Sequence, residues 1–354
     1  MGINTFIKKI FGQKSREEKI REFVEQAPET RKMLRGALRM ENKDLALVFE
    51  TKDRKPFEIT TEELRKVYPD GIPALDDDEP EPSSRIEKLI KDFSRQTSAP
   101  CIAFALAKRK TTIYDNKFGG IPYWPKDLDY PHDADDNPMP LLAQLNFEKL
   151  PPLEGFPKKG ILQFYISGKR FGPADLPSPP DILSSTKNMR VVYHKEIVTR
   201  KTALGTPPPA KKFQKKDYPL KGEFALNAQI KICPMTPSDF RFEKTFVAFY
   251  NNKTGKKAKT LEEIEDTFKI EFYEEYGEVG GHRIGGYPMF VRGDPRDSEK
   301  YKNHTILLLQ IDSDNSLGKD VVRWGDSGVG NFFITPAALE NLDFSNILYS
   351  RDFL

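Results

Sequence analysis

Three aspartates near the C-terminal end, Asp312, Asp314 and Asp326, come closest to a reactive or metal-holding set. In LLLQIDSDN the DSD triplet puts two carboxylates on one side of an extended strand end, and the following WGDS turn can carry the third towards them. Oxygen ligands of this kind suit calcium or magnesium. The set departs from an EF-hand, because Leu317 occupies the glycine position counted from Asp312 and Arg323 stands where the bidentate glutamate belongs. The plainer role is turn capping, which Asp performs routinely at strand ends. A metal is the lesser expectation, and no cofactor is expected.

Gln144 and Gln310 lie inside apolar runs, PLLAQLNF and ILLLQIDS, where an amide is costly unless its donors and acceptors are matched. Each should hold something in place. The expectation is hydrogen bonding to the backbone of the opposite half of the molecule. The alternative is a ligand cleft between the halves, lined by Gln144, Gln310, Asp312, Asp314, Trp324 and Asp326. A Ser, His and Asp set can be assembled from Ser327, Asp326, His282 and His304, but the strand-turn-helix context of a nucleophile elbow is absent. The chain has four histidines and no HExxH spacing. No catalytic residues are assigned, and catalysis is not the expectation.

These candidates sit within a repeat. GGIPYW at residues 119 to 124 returns as GGYPMF at 285 to 290, and the offset of 166 residues that relates them also carries Gln144 onto Gln310. After a shift of two, QFYI at 163 to 166 meets NFFI at 331 to 334. Three landmarks recurring in order imply an internal duplication: a glycine-proline turn, an apolar strand with a central Gln, and an aromatic strand. Paired glycines permit positive φ or close backbone approach, and the proline fixes φ, so both turns are structural punctuation first.

The elements that must position these residues follow from local patterns. Ser15 with Glu18 and Thr60 with Glu63 are capping boxes for two helices; 30 to 40 reads as a further helix and LALVFE at 45 to 50 as a strand. LDDDEPEPSS at 75 to 84 reads as a connector, which separates a small N-terminal unit (1 to 80) from a main domain (85 to 354). Ser84 with Glu87 should cap the next helix, and CIAFALA reads as a strand. Half one covers about 100 to 170 and half two about 260 to 354, where Thr260 caps a helix running to Phe272. The stretch between, 171 to 259, is a proline-rich insertion in which only RVVYH and EFALNAQIKI read as strands. The fold class is α+β, a duplicated and mostly antiparallel sheet with flanking helices.

Composition limits the function classes. With 38% hydrophobic and 31% charged residues, a packed interior under a solvated surface is expected. The net charge of +3 gives no global field for nucleic acid, although Lys187 to Lys221 gathers ten Lys or Arg against two acids. Nucleic acid is therefore not an expected partner, and that stretch reads as a solvated insertion. The only two cysteines, Cys101 and Cys233, lie far apart in sequence, so no disulfide framework or zinc site is legible and a cytoplasmic location is expected. The N-terminal MGINTFIKKIFGQK is too short and too lysine-interrupted to span a membrane; peripheral contact is the lesser reading.

GGYPMFVRGDPR, LLLQIDSDN and WGDSGVGNFFI, with GGIPYWP and LLAQLNF, resemble the YwqG-like family, a bacterial domain family without an assigned activity, over roughly residues 100 to 354. The resemblance implies a domain of duplicated, mostly antiparallel sheet, with no reaction and no catalytic list, and a suggested link to toxin-immunity systems. The resulting expectation is an uncharacterised protein-binding or regulatory module with a protein partner. The alternative is a small-molecule or divalent-metal binder, or an enzyme, using the cleft between halves.

Overall fold

The structure is a computed structural model that describes residues 15–26, 34, 38, 46–50, 56–69, 71–72, 82–168, 181–183, 187–214, 218–276, 280–318 and 321–353. The N-terminal lysine-rich segment and nearly all of the expected helix at 30 to 40 lie outside them. The chain divides into two compact units, Met1–Arg85 and Ile86–Leu354. Among the described residues no helix is long and apolar enough to cross a membrane.

In the first unit, Ser15 and Glu18 exchange backbone hydrogen bonds and open helix α1, Arg16–Gln26. Strands β1, Ala46–Glu50, and β2, Pro56–Thr60, form an antiparallel hairpin. Thr60 and Glu63 then close the expected capping box on helix α2, Thr61–Val67. Ile20, Val24, Leu34, Ile59, Leu64 and Val67 are buried together, which supplies the core of this unit.

Helix α3, Pro82–Thr97, runs across the division between the units, and from Ile86 onward it opens the second. The helix starts two residues before the expected cap Ser84, because a proline's fixed φ and missing N–H suit a first helical position. Next come β3 (Ala99–Ala107), β4 (Lys117–Phe118), β5 (Leu141–Asn146), β6 (Ile161–Ile166), β7 (Asp181–Leu183), β8 (Met189–His194) and β9 (Phe224–Cys233). Helices α4 (Phe242–Thr254), α5 (Leu261–Phe268) and α6 (Phe272–Tyr276) precede β10 (His282–Gly285), β11 (Ile306–Asp312) and β12 (Val329–Ile334). Helix α7 (Pro336–Glu340) and β13 (Leu348–Asp352) complete the unit.

Eleven strands join one sheet in the order β7-β13-β12-β11-β10-β3-β9-β4-β5-β6-β8, and its ladders are antiparallel. At its centre β3 and β9 pair from Ala99 against Cys233 to Ala107 against Ala225. β3 then pairs onward with β10, and β9 with β4. β9 is thus a central strand, where the sequence reading placed it in an insertion. β12 and β6 stand seven strands apart, a separation of roughly 34 Å in a flat sheet, yet the rings of Phe332 and Phe164 lie 5.0 Å apart. The sheet therefore curls so that its two arms pack face to face. Leu142, Leu145, Leu162, Leu308 and Ile334 fill that interior and are essentially inaccessible.

A second cluster joins the helices. Phe93 of α3 meets Phe242, Phe246 and Phe249 of α4 at 5.5, 4.9 and 5.4 Å between ring centres, edge-on geometries that each add about 0.5 to 1.5 kcal/mol beyond burial. α4 was hidden in the supposed insertion, although its apolar spacing and the terminal Gly255 at φ 71° are helical signals. α5 ends at Phe268, four residues earlier than expected, because Lys269 adopts a left-handed φ of 54°.

Candidate functional site

Both glycine turns sit at the ends of short strands in the middle of the sheet. Gly119 and Gly120 follow β4 with φ of 66° and 77°, and Gly285 and Gly286 close β10 with φ of 70° and 65°. These left-handed conformations favour glycine. Space also demands it at the first position, since a Cβ on Gly119 would press into the Gly222 carbonyl.

Buried amides hold the chain just beyond each turn. Gln144 Oε1 accepts the Tyr123 N–H at 2.8 Å, while its Nε2 donates to the Ile113 and Asp115 carbonyls at 2.8 and 3.0 Å. Gln163 Nε2 donates to the Tyr123 carbonyl at 2.7 Å and to Gln144 Oε1 at 2.9 Å. Beyond the second turn, Gln310 Oε1 accepts the Met289 N–H at 2.7 Å and its Nε2 donates to Gly281 O at 2.8 Å. Asn331 Nδ2 donates to the Met289 carbonyl at 2.9 Å. The offset of 166 residues relates Asp115 to Gly281 and Tyr123 to Met289 as it does the two glutamines. Each amide therefore anchors backbone on its own side of the sheet, whereas the sequence reading sent it across to the opposite half. The reason is local: the residue three beyond the second glycine passes directly over the neighbouring strand.

Each turn forms one wall of a cavity. The first, about 430 Å³, is bounded by Gly120, Ile121, Pro140 and Leu141 on one side and by the proline run Pro207 to Pro209 on the other. The second, about 330 Å³, is bounded by Gly286, Tyr287, Ile306 and Leu307, four residues at the same offset, together with Pro100 and Arg241.

The polar groups beside the two turns correspond as well. In the first, Lys117 Nζ is buried and donates to Ile121 O at 2.6 Å, to Glu223 Oε1 at 3.0 Å and to Thr111 Oγ1 at 3.4 Å; the Thr111 hydroxyl also donates to Glu223. Burial pulls the lysine below its ordinary pKa, opposed by the Glu223 carboxylate. Glu223 lines the cavity with its side chain 40% exposed. Strand register puts Lys117 opposite Ala225 and Arg283 opposite Ala103. Two residues before these partners stand Glu223 and Cys101, so the second turn has Arg283 and a thiol where the first has Lys117 and a carboxylate. The thiol is paired: Cys101 Sγ and Cys233 Sγ lie 2.7 Å apart. Cysteines 132 positions apart in sequence are thus neighbours in space, which the sequence reading missed; the register of β3 against β9 brings them together.

The sequence candidates are distributed otherwise. Gln144 and Gln310 are fully buried and spent on backbone. Asp312 accepts the Gly281 and Ser313 N–H groups at 2.6 and 2.8 Å. His282 Nδ1 accepts the Asp312 N–H at 3.0 Å, leaving Nε2 to donate to Asp314 at 3.0 Å, and that bond holds the Asp314 carboxyl far below the usual carboxylate range. Asp326 is exposed beside Arg323 at 2.9 Å, and Trp324 is buried with its ring over Gly330. None of the six lines either cavity. Among the described residues no three His, Cys, Asp or Glu side chains converge on a metal position, so Asp312, Asp314 and Asp326 do not make one. His282 is committed to Asp312 and Asp314, and among the described residues no histidine hydrogen-bonds Ser327.

The polar residues beside the first cavity that the sequence reading missed are Lys117, Thr111 and Glu223. The available signal was Lys117 in KFGG, a cation at the position of Arg283 in RIGG. The basic stretch from Lys187 is also more than a solvated loop: Leu204 bridges to Pro125, Tyr218 and Leu220 are buried, and the prolines form the cavity wall.

A family model described as Domain of unknown function (DUF1963) matches residues 116–352, a span that contains both glycine turns and both clamping glutamines, Gln144 and Gln310. A search of curated proteins finds no match to the chain.

Proposed function

The chain belongs to the DUF1963 family, a domain of unknown function, and we propose that it is a binding module whose first glycine turn takes a compact, mainly apolar organic molecule with an N–H-bearing head. The observation that carries this is the first cavity. Its volume of about 430 Å³ falls in the range of about 300 to 1,000 Å³ common to small-molecule sites, and its walls are proline, Ile121 and Leu141 with a carboxylate at one side. Glu223 Oε1 is taken by Lys117 and Thr111, and among the described residues Oε2 accepts no hydrogen bond. A ligand N–H would complete that carboxylate while its body displaces water from the apolar walls.

The repeated amide clamps, the matched cavity walls and the central β3 and β9 strands, each paired with a short strand that ends at a glycine turn, support reading the chain as an internal duplication. The protein-partner reading has one specific support: Ile121, at the cavity wall, is 62% exposed and Leu128 nearby 47%. A partner could seat a side chain there. The YwqG-like name, a toxin-immunity role and a cytoplasmic location rest on the sequence motifs and composition alone.

Thermal unfolding against a panel of apolar amines and amides tests the proposal. A ligand at a hundred times its Kd stabilises by about 2.7 kcal/mol, or about 5 to 10 °C in a unit of this size. The shift should vanish in Glu223→Ala and survive Asp326→Ala. A shift that Glu223→Ala leaves intact would place the ligand elsewhere and sink the assignment.

A further inference from the structure

We propose that Cys101 and Cys233 form a reversible disulfide site that reacts with hydroperoxides beneath the second glycine turn. Both thiols are free, and both point to the same face of the β3 and β9 ladder, where Ala99 opposes Cys233 and Lys231 opposes Cys101. Their sulfurs are 2.7 Å apart. A Cβ placed on Gly286 would lie 3.0 Å from the Cys101 Cβ and 3.3 Å from the Cys233 Cβ. The two thiols therefore meet under a residue that has no side chain to separate them, and their sulfurs are within reach of a bond of about 2.05 Å.

The surroundings favour reaction at Cys233. The two thiols share one S–H in their contact, in which either sulfur can donate, and Arg283 on β10 and Lys231 on β9 add positive potential on the same face. With Cys101 as the donor, the shared bond holds the Cys233 thiol below its ordinary pKa and pushes Cys101 up. The attacking thiolate and the resolving thiol are thereby distinguished. The corresponding place beside the first turn is occupied by an anion, the Glu223 carboxylate on Lys117, which shows that this position in the fold accommodates negative charge next to a buried cation. The second cavity, walled by Ala99, Pro100, Gly285 and Gly286, brings solvent to the turn that covers the thiols.

The chemistry balances in two steps. The Cys233 thiolate attacks one peroxide oxygen, the O–O bond breaks, hydroxide leaves and a sulfenic acid remains. The Cys101 thiol then attacks that sulfur, the S–O bond breaks and water leaves with the proton from Cys101. Two thiols and one hydrogen peroxide give one disulfide and two waters, and a dithiol reductant returns both thiols.

The test uses the reduced full-length protein and hydrogen peroxide. Thiols counted after denaturation should fall from two to none, with no rise in oligomer. Peptide mapping without reductant should find the fragment joining Cys101 to Cys233, and dithiothreitol should restore both thiols. In Cys101→Ser the remaining Cys233 should accumulate a sulfenic acid that dimedone traps. Two unreacted thiols in excess peroxide would overturn the proposal, as would sulfinic acids or intermolecular crosslinks in place of the joined fragment. The wild-type mapping decides the matter even if the serine variant fails to fold.

Discussion

The Gln144 clamp permits a quantitative test of what the repeated motif does. Gln144 makes all four hydrogen bonds its amide allows: Oε1 accepts from Tyr123 and Gln163, and Nε2 donates to Ile113 and Asp115. Gln144→Met keeps length and approximate volume, so little cavity forms. It leaves three backbone groups without partners: the buried Tyr123 N–H and the part-buried carbonyls of Ile113 and Asp115. At about 1 to 1.5 kcal/mol each, the low end of the penalty for an unpaired group, the expected loss is about 3 to 4.5 kcal/mol. Gln310→Met strands only the part-buried Met289 N–H and the carbonyl of the exposed Gly281, and should cost about 1 to 2 kcal/mol. Urea unfolding followed by tryptophan fluorescence reads this unit alone, because the chain's two tryptophans, Trp124 and Trp324, both lie in it and are buried. Gln144→Met should shift the midpoint by roughly 1 M or more at a slope of about 3 kcal/mol per M. A loss below about 1 kcal/mol, or a Gln310→Met effect larger than that of Gln144→Met, would refute the reasoning that these amides are buried backbone clamps.

Two further outcomes follow from particular residues. Gly119→Ala should cost about 3 kcal/mol, because left-handed strain is joined by overpacking against the Gly222 carbonyl; Gly255→Ala, with the same left-handed strain but open space around it, should cost about 1 kcal/mol. Thermal unfolding of the two variants separates steric need from conformational preference, and equal losses would remove the steric argument. Burial pushes the His194 pKa down to about 4, its Nε2 donating to Gln163 at 2.8 Å. The unfolded chain, titrating near 6.5, binds a proton that the folded chain refuses, so stability contributed by neutral His194 is complete above pH 6.5 and falls as the pH drops towards 4. At pH 5 the loss is roughly 2 kcal/mol. His194→Gln should flatten that part of the pH profile, and a profile unchanged by it would assign the acid sensitivity elsewhere.

Local features of the fold were legible in the sequence. The Thr60 and Glu63 box, the CIAFALA strand and the glycine turns depend on residues within a few positions of one another, and hydrogen bonds of that range hold in almost any surrounding structure. The α4 helix was equally local and was obscured by the prolines before it. The candidate site was less legible. Asp312, Asp314 and Asp326 share a short stretch of sequence, but their carboxylates turn to a backbone N–H, a histidine and an arginine. Spacing along the chain gives no direction for a side chain once the strand ends.

By itself the sequence determined the 166-residue recurrence, the α+β class and the demand that Gln144 and Gln310 be satisfied, because propensity, periodicity and the cost of burying an amide are properties of the residue and its near neighbours. Only the tertiary structure decided which groups satisfy them, that β9 runs beside β3 at the centre of the sheet, and that Cys233 meets Cys101 and Glu223 meets Lys117. Those meetings depend on the register between strands more than a hundred residues apart, which is set by how the whole apolar interior closes.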